Sequence, residues 1–148
     1  MATGGAARAS LDAARAEAEE RGVAFELLPS NGAGRMRATA EPKLVERILA
    51  PLVENASRHA RSRATVRVAR EGPWLEVAVE DDGPGVKAGE EATIFEPGMR
   101  GATSEASNHS GAGLGLSLAR RLARSAGGDV EADPQASGGR FVVRLPAA

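Results

Sequence analysis

Apolar residues recur along this chain with two periods. Val23, Phe25 and Leu27 alternate with other residues, as do Leu75, Val77 and Val79, which is the two-residue period of a half-buried strand. Between them Leu44, Val45, Ile48, Leu49, Leu52, Val53 and Ala56 recur at helical spacing and form a core-facing stripe. Glu41 and Pro42 open that helix, with proline in the first turn, where its missing N–H costs nothing. A strand at Arg35–Thr39 is expected to return along the first one through the turn SNGAG. Further strands are predicted near Ala64–Ala69, Asp129–Ala132 and Arg140–Leu145, and a helix from about Gly113 to Ser125, stopped by a glycine pair. The first ten residues are small and polar and read as a disordered lead. Ser10 then caps a helix to Arg21, almost all alanine on its apolar side and so with little to bury.

The stretch from Val86 to Gly111 interrupts this regularity. It is rich in Gly, Ser, Glu and Thr, with one short helical piece expected over Glu90–Phe95. A loop that long inside a compact domain signals function or mobility. The elements together predict an α/β protein, an α+β two-layer sandwich. Its mixed, mostly antiparallel sheet of about five strands carries three main helices on one face. Residues 1–22 read as a flexible lead and linker helix, and 23–148 as the domain proper.

Composition narrows the function classes. The 148 residues suffice for one domain with a core, and 42% hydrophobic with 26% charged residues argues against disorder. A net charge of −1 offers no general attraction to nucleic acid or to an acidic membrane. With no cysteine there are neither disulfides nor thiolate metal sites. No apolar run approaches the ~20 residues of a membrane span, and the N-terminus lacks the apolar core of a signal peptide. Any membrane attachment is expected to lie outside this chain.

Three motifs carry candidate chemistry. In LVENASRHA (Leu52–Ala60), Asn55, Arg58 and His59 share one side of the helix with Pro51. Asn55 reads as a surface asparagine or as a hard oxygen ligand for magnesium. Arg58 reads as a solvated cation or a phosphate contact, and His59 as a boundary histidine or a ligand-edge contact. In DDGPGV (Asp81–Val86), Asp81 faces the same way as Leu75 and Val77, while Asp82 faces solvent. A carboxylate on an apolar face needs a hydrogen-bonding partner. A turn cap supplies one, and so would the exocyclic amine of adenine. Gly83 and Gly85 flank Pro84 in a tight turn. In GAGLGL, Gly111, Gly113 and Gly115 leave backbone N–H groups open at a helix N-terminus, a setting for polyphosphate or simply a hinge.

These motifs, together with IFEPGMRG (Ile94–Gly101), resemble in order and spacing the N, G1, F and G2 boxes of sensor histidine kinase catalytic domains. Those domains belong to the ATPase superfamily shared with gyrase, heat-shock-90 chaperones and mismatch-repair proteins. The resemblance runs from about Val23 to Pro146, and the F box favours the kinase branch. It implies that Asn55 binds Mg2+, Arg58 reaches a terminal phosphate, and His59 lies beside the adenosine. Asp81 would hold the adenine amine, with Gly83, Gly85 and Val86 shaping the base pocket. Phe95 would anchor one end of an ATP lid and Arg100 would lie on it, with Gly111, Gly113 and Gly115 hinging it against the phosphates and Leu114 and Leu116 among the nucleotide-binding positions.

Two departures qualify the likeness. Hydrolytic branches place a water-activating glutamate four residues before the magnesium asparagine; here Pro51 stands there, and a helix kink and slow hydrolysis are expected. Glu54 lies about 100° around the helix from Asn55 and is either a boundary acid or a catalytic one. The acceptor histidine is also absent, since His59 and His109 lack its context. The resemblance therefore implies half of a kinase. Its partners would be the dimerisation and histidine-phosphotransfer domain of a parent kinase and, indirectly, a response regulator. The domain itself would be cytoplasmic and monomeric, with no nucleic acid and no membrane contact. An anti-sigma-factor serine kinase and a non-catalytic nucleotide-binding or docking module are the alternatives.

Overall fold

A computed structural model describes residues 3–28, 36–87, 89–90, 93–96, 112–134 and 136–148. The elements run α1 (Thr3–Glu20), β1 (Ala24–Leu28), α2 (Pro42–His59), β2 (Arg63–Glu71), β3 (Trp74–Asp81), α3 (Ala112–Ser125), β4 (Asp129–Ala132) and β5 (Gly139–Pro146). One five-stranded sheet has the order β1-β2-β3-β5-β4, with β1 and β2 parallel and the other pairs antiparallel. The mixed sheet with three helices is the predicted class.

Strand alternation sorts the two faces. Ala64, Val66, Val68, Leu75, Val77, Val79, Phe141, Val143 and Leu145 are buried and meet the α2 stripe of Val45, Ile48, Leu49, Leu52, Val53 and Ala56. Each large side chain buried there stabilises the fold by roughly 1.5–3 kcal/mol relative to exposure. The opposite face carries charges paired across strands. Arg144 meets Glu76 at 2.9 Å, and Arg140 meets Glu80 at 3.2 Å, in both cases directly opposite in register.

α1 departs from its expected reading. It starts at Thr3, not Ser10, and Ser10 is an interior residue whose hydroxyl donates to the Glu46 carbonyl at 3.4 Å. Its alanine side is not idle: Ala6, Ala7, Leu11, Ala14 and Ala18 are buried. Small side chains let α1 pack against α2, so a stripe with little area per residue still joins the buried core.

The expected hairpin is also absent among the described residues. β1 pairs in parallel with β2, reached through α2, which is a βαβ crossover. Residues 36–39 join the far end of the sheet instead. Ala38 bridges Ala147, the Thr39 N–H donates to the Pro146 carbonyl at 2.9 Å, and the Ala148 N–H donates to the Arg37 carbonyl at 2.8 Å. The SNGAG turn and Arg35 lie outside the described residues. α2 opens at Glu41 with Pro42 in its first turn, as expected, and continues through Pro51 to His59.

Candidate functional site

The C-terminal ends of α2 and β3 converge on one pocket. Asn55, His59, Asp81, Pro84, Gly85, Val86, Glu90, Ile94, Gly139 and Phe141 line it. The space between them, open mouth included, is about 400 Å³.

Asp81 is the polar centre. It ends β3 on the buried face, and its Oδ1 accepts the Gly83 N–H at 2.8 Å. Burial raises its pKa above the ordinary carboxyl value, opposed by the N–H groups of Gly83 and Gly139 and by His59. Glycine is required around it by close approach. A Cβ on Gly83 would collide with the His59 carbonyl, and one on Gly139 with the Asp81 carboxylate. Gly85 has φ +77°, the left-handed region that glycine enters without strain.

His59 occupies the last turn of α2. Burial lowers its pKa, against the pull of Asp81, and Arg58 adds to the lowering. Asp82 fixes the turn that follows. It faces solvent, as expected, but its carboxylate accepts the Arg61 N–H at 2.7 Å, the Ser62 N–H at 3.0 Å and the Ser62 hydroxyl at 2.6 Å. These hydrogen bonds, that of the Ser62 hydroxyl foremost, hold its pKa far below the ordinary range. They tie the exit of α2 to the exit of β3, which sets His59 beside Asp81.

The remaining predicted residues divide. Asn55, His59, Asp81, Gly85 and Val86 line the pocket, and Gly83 forms its turn. Arg58 is half-buried and Glu54 exposed; neither is among the lining residues. Phe95 is buried behind the pocket, edge-on to Phe141, and Leu116 is buried in the core. Gly115 abuts Pro51, whose Cβ would lie 3.2 Å from a Cβ placed on the glycine. Gly113 and Leu114 fall in the first turn of α3. Arg100, Gly111 and His109 lie outside the described residues, as does most of the expected lid. Residues 91–92 of the helical piece expected over Glu90–Phe95 lie outside the described residues; at its end the Ile94 N–H donates to the Glu90 carbonyl at 2.9 Å, the spacing of one helical turn. Sequence reasoning missed Pro84, Glu90, Ile94, Gly139 and Phe141 as lining residues. The GGRF stretch held a signal, because a glycine pair entering a strand marks a close backbone approach.

Chemically the pocket offers a half-buried carboxylate for a hydrogen-bond donor, apolar walls in Val86, Ile94 and Phe141, and an amide from Asn55. A flat ring with an exocyclic amine fits that set. Among the described residues no group of three or more His, Cys, Asp or Glu could hold a metal by itself. The side-chain oxygen of Asn55, on the pocket wall, is a hard donor of the kind that suits a magnesium ion holding phosphates and water as its other ligands. No described helix is long and apolar enough to cross a membrane.

Comparison with known proteins gives a consistent set. Residues 40–148 match the family described as histidine kinase-, DNA gyrase B- and HSP90-like ATPase. The sensor protein CutS of Streptomyces coelicolor is 37% identical over 93% of the chain, and the sensor protein RstB of Escherichia coli is 36% identical over 74%. The chain spans 33% and 25% of their lengths. Among solved structures, full-length ShkA in complex with AMPPNP superposes with a TM-score of 0.79 at 26% identity, covering 100% of the chain and 30% of ShkA. The catalytic domain of the histidine kinase ThkA gives 0.79 at 18% identity, covering 99% of the chain and 94% of that domain. The second likeness is of fold, and its extent takes in α1.

Proposed function

The chain belongs to the histidine kinase-, DNA gyrase B- and HSP90-like ATPase family, and we propose that it works as the catalytic domain of a sensor histidine kinase. It binds Mg-ATP and passes the γ-phosphoryl group to a histidine on a separate dimerisation and phosphotransfer domain, from which a response regulator is served. The observation that carries this reading is the meeting of Asp81, Asn55 and His59 at one pocket. Asp81 receives the adenine amine, and Gly83, Gly85 and Val86 shape the place of the base. Asn55 ligates magnesium and Arg58 reaches a phosphate; Arg100 and the glycines of GAGLGL attend the phosphates. Bound magnesium neutralises charge on the phosphates. The chain's own residues orient the nucleotide, which is most of what phosphoryl transfer asks of a protein.

Pro51 directs the choice between transfer and hydrolysis. Its ring has no base to activate water, and Glu54, exposed one residue before Asn55, does not face the pocket. The domain acts in the cytoplasm, apart from the membrane, as part of a longer kinase. The anti-sigma-factor kinase and the docking module are less favoured, since the relatives described are sensor proteins. Calorimetric titration tests the site directly. Mg-ATP is expected to bind at least about tenfold tighter than Mg-GTP, because guanine offers Asp81 a carbonyl where adenine offers an amine. Equal affinities would remove Asp81 as the reader of the base.

A further inference from the structure

Arg120 lies outside the pocket yet touches what stands behind its wall. Its guanidinium is 4.5 Å from the centroid of the Phe95 ring. Phe95 is 5% exposed and meets Phe141 edge-on, with centroids 5.9 Å apart and planes at 89°. Phe141 and Ile94, the neighbour of Phe95 in sequence, both line the pocket. The order from α3 inward is therefore Arg120, Phe95, then the Phe141 and Ile94 wall.

The guanidinium is itself held. Its Nε donates to Asp129 Oδ1 at 3.0 Å, the same oxygen that accepts Arg124 Nε at 3.0 Å and the Val130 N–H at 2.8 Å. Residues 93–96 are joined by turns and pair with no described strand. Side-chain burial of Phe95, rather than a backbone ladder, thus attaches this segment to the core. A cation fixed over one ring surface, with a second ring against it, restricts how Phe95 can shift or turn.

We propose that Arg120 is a positioning residue for nucleotide binding: oriented by Asp129, it fixes Phe95 and through it the Ile94 and Phe141 wall of the pocket. The inference rests on the pocket being the nucleotide site. Its alternative is that the Arg120 and Asp129 pair only ties α3 to β4, which would affect stability and leave the pocket wall unchanged.

Dissociation of a fluorescent ATP analogue from the full chain, chased with excess Mg-ATP, separates these. Arg120→Met keeps the apolar stem and removes the cation; it is expected to speed dissociation about five- to tenfold. Arg120→Lys should fall between it and the parent, and Asp129→Asn should shift the rate the same way. In a Phe95→Leu background, Arg120→Met should add less than about twofold, because its target is gone. Should Arg120→Met fail to fold, the Lys and Asn variants decide the matter. Parent-like dissociation in the folded variants, or an undiminished Arg120→Met effect in the Phe95→Leu background, would overturn the role of Arg120. A parent chain that does not bind the analogue would instead overturn the nucleotide reading of the pocket.

Discussion

The Asp81 carboxylate accepts the Gly83 N–H at 2.8 Å, so the residue at the centre of the pocket also holds the turn that shapes it. Asp81→Ala removes both functions. Nucleotide affinity should fall about tenfold or more, the loss expected for a hydrogen bond to a charged acceptor. Calorimetry on the folded variant checks this, and unchanged affinity would contradict the assignment.

Gly83→Ala tests the steric side of the same turn. Its Cβ would meet the His59 carbonyl and the Asp81 carboxylate, neither of which can swing away freely. Chemical denaturation should show a loss of roughly 1–3 kcal/mol, in the range of overpacking in a tight contact. A variant as stable as the parent would mean that the α2 and β3 ends are less closely joined than described.

Pro51 departs from good helix chemistry within α2. It denies the Arg47 carbonyl its helical N–H partner, while its ring packs on Gly115. Pro51→Ala restores the hydrogen bond and gives up part of that contact. A net gain of about 1–2 kcal/mol is expected from the denaturation midpoint. A loss would show that the contact with Gly115 outweighs the hydrogen bond.

His59 sets a pH dependence. Its folded pKa lies below the ordinary 6.5, mainly through burial. The stability tied to its neutral form is therefore complete above that value and is lost as pH falls through the lower folded pKa. Asp81 has the opposite sign: its pKa is raised by burial, and its contribution is lost as pH rises through the folded value. Between about pH 7.5 and 5.5 the denaturation midpoint should decline through His59, and His59→Gln should flatten the decline. An equal decline in the variant would show that other groups carry it.

The legible parts of the molecule were those where period and chemistry agreed. Leu75, Val77 and Val79 alternate, and continuing their period by two residues put Asp81 on the buried face. The α2 stripe and Pro42 likewise placed Asn55 and His59 near the end of one helix. α1 was harder, because alanine scores as weakly apolar although small residues allow close helix packing. The hairpin expected after β1 failed for another reason: a turn-like composition says nothing about which strand the next segment will join. Residues 37–39 found the C-terminal end of β5, a partner more than a hundred positions away. Gly139 and Phe141 were missed as site residues because only register brings them beside Asp81, Gly139 lying directly opposite it.

Phosphoryl transfer to a supplied dimerisation and phosphotransfer domain is the most direct test of the kinase assignment. Labelled Mg-ATP, the chain and that domain should yield a labelled acceptor whose phosphate is lost in acid, as from phosphohistidine. Asn55→Ala should abolish the signal. An acid-stable label, transfer that survives Asn55→Ala, or tight ATP binding with no transfer to the acceptor would contradict it.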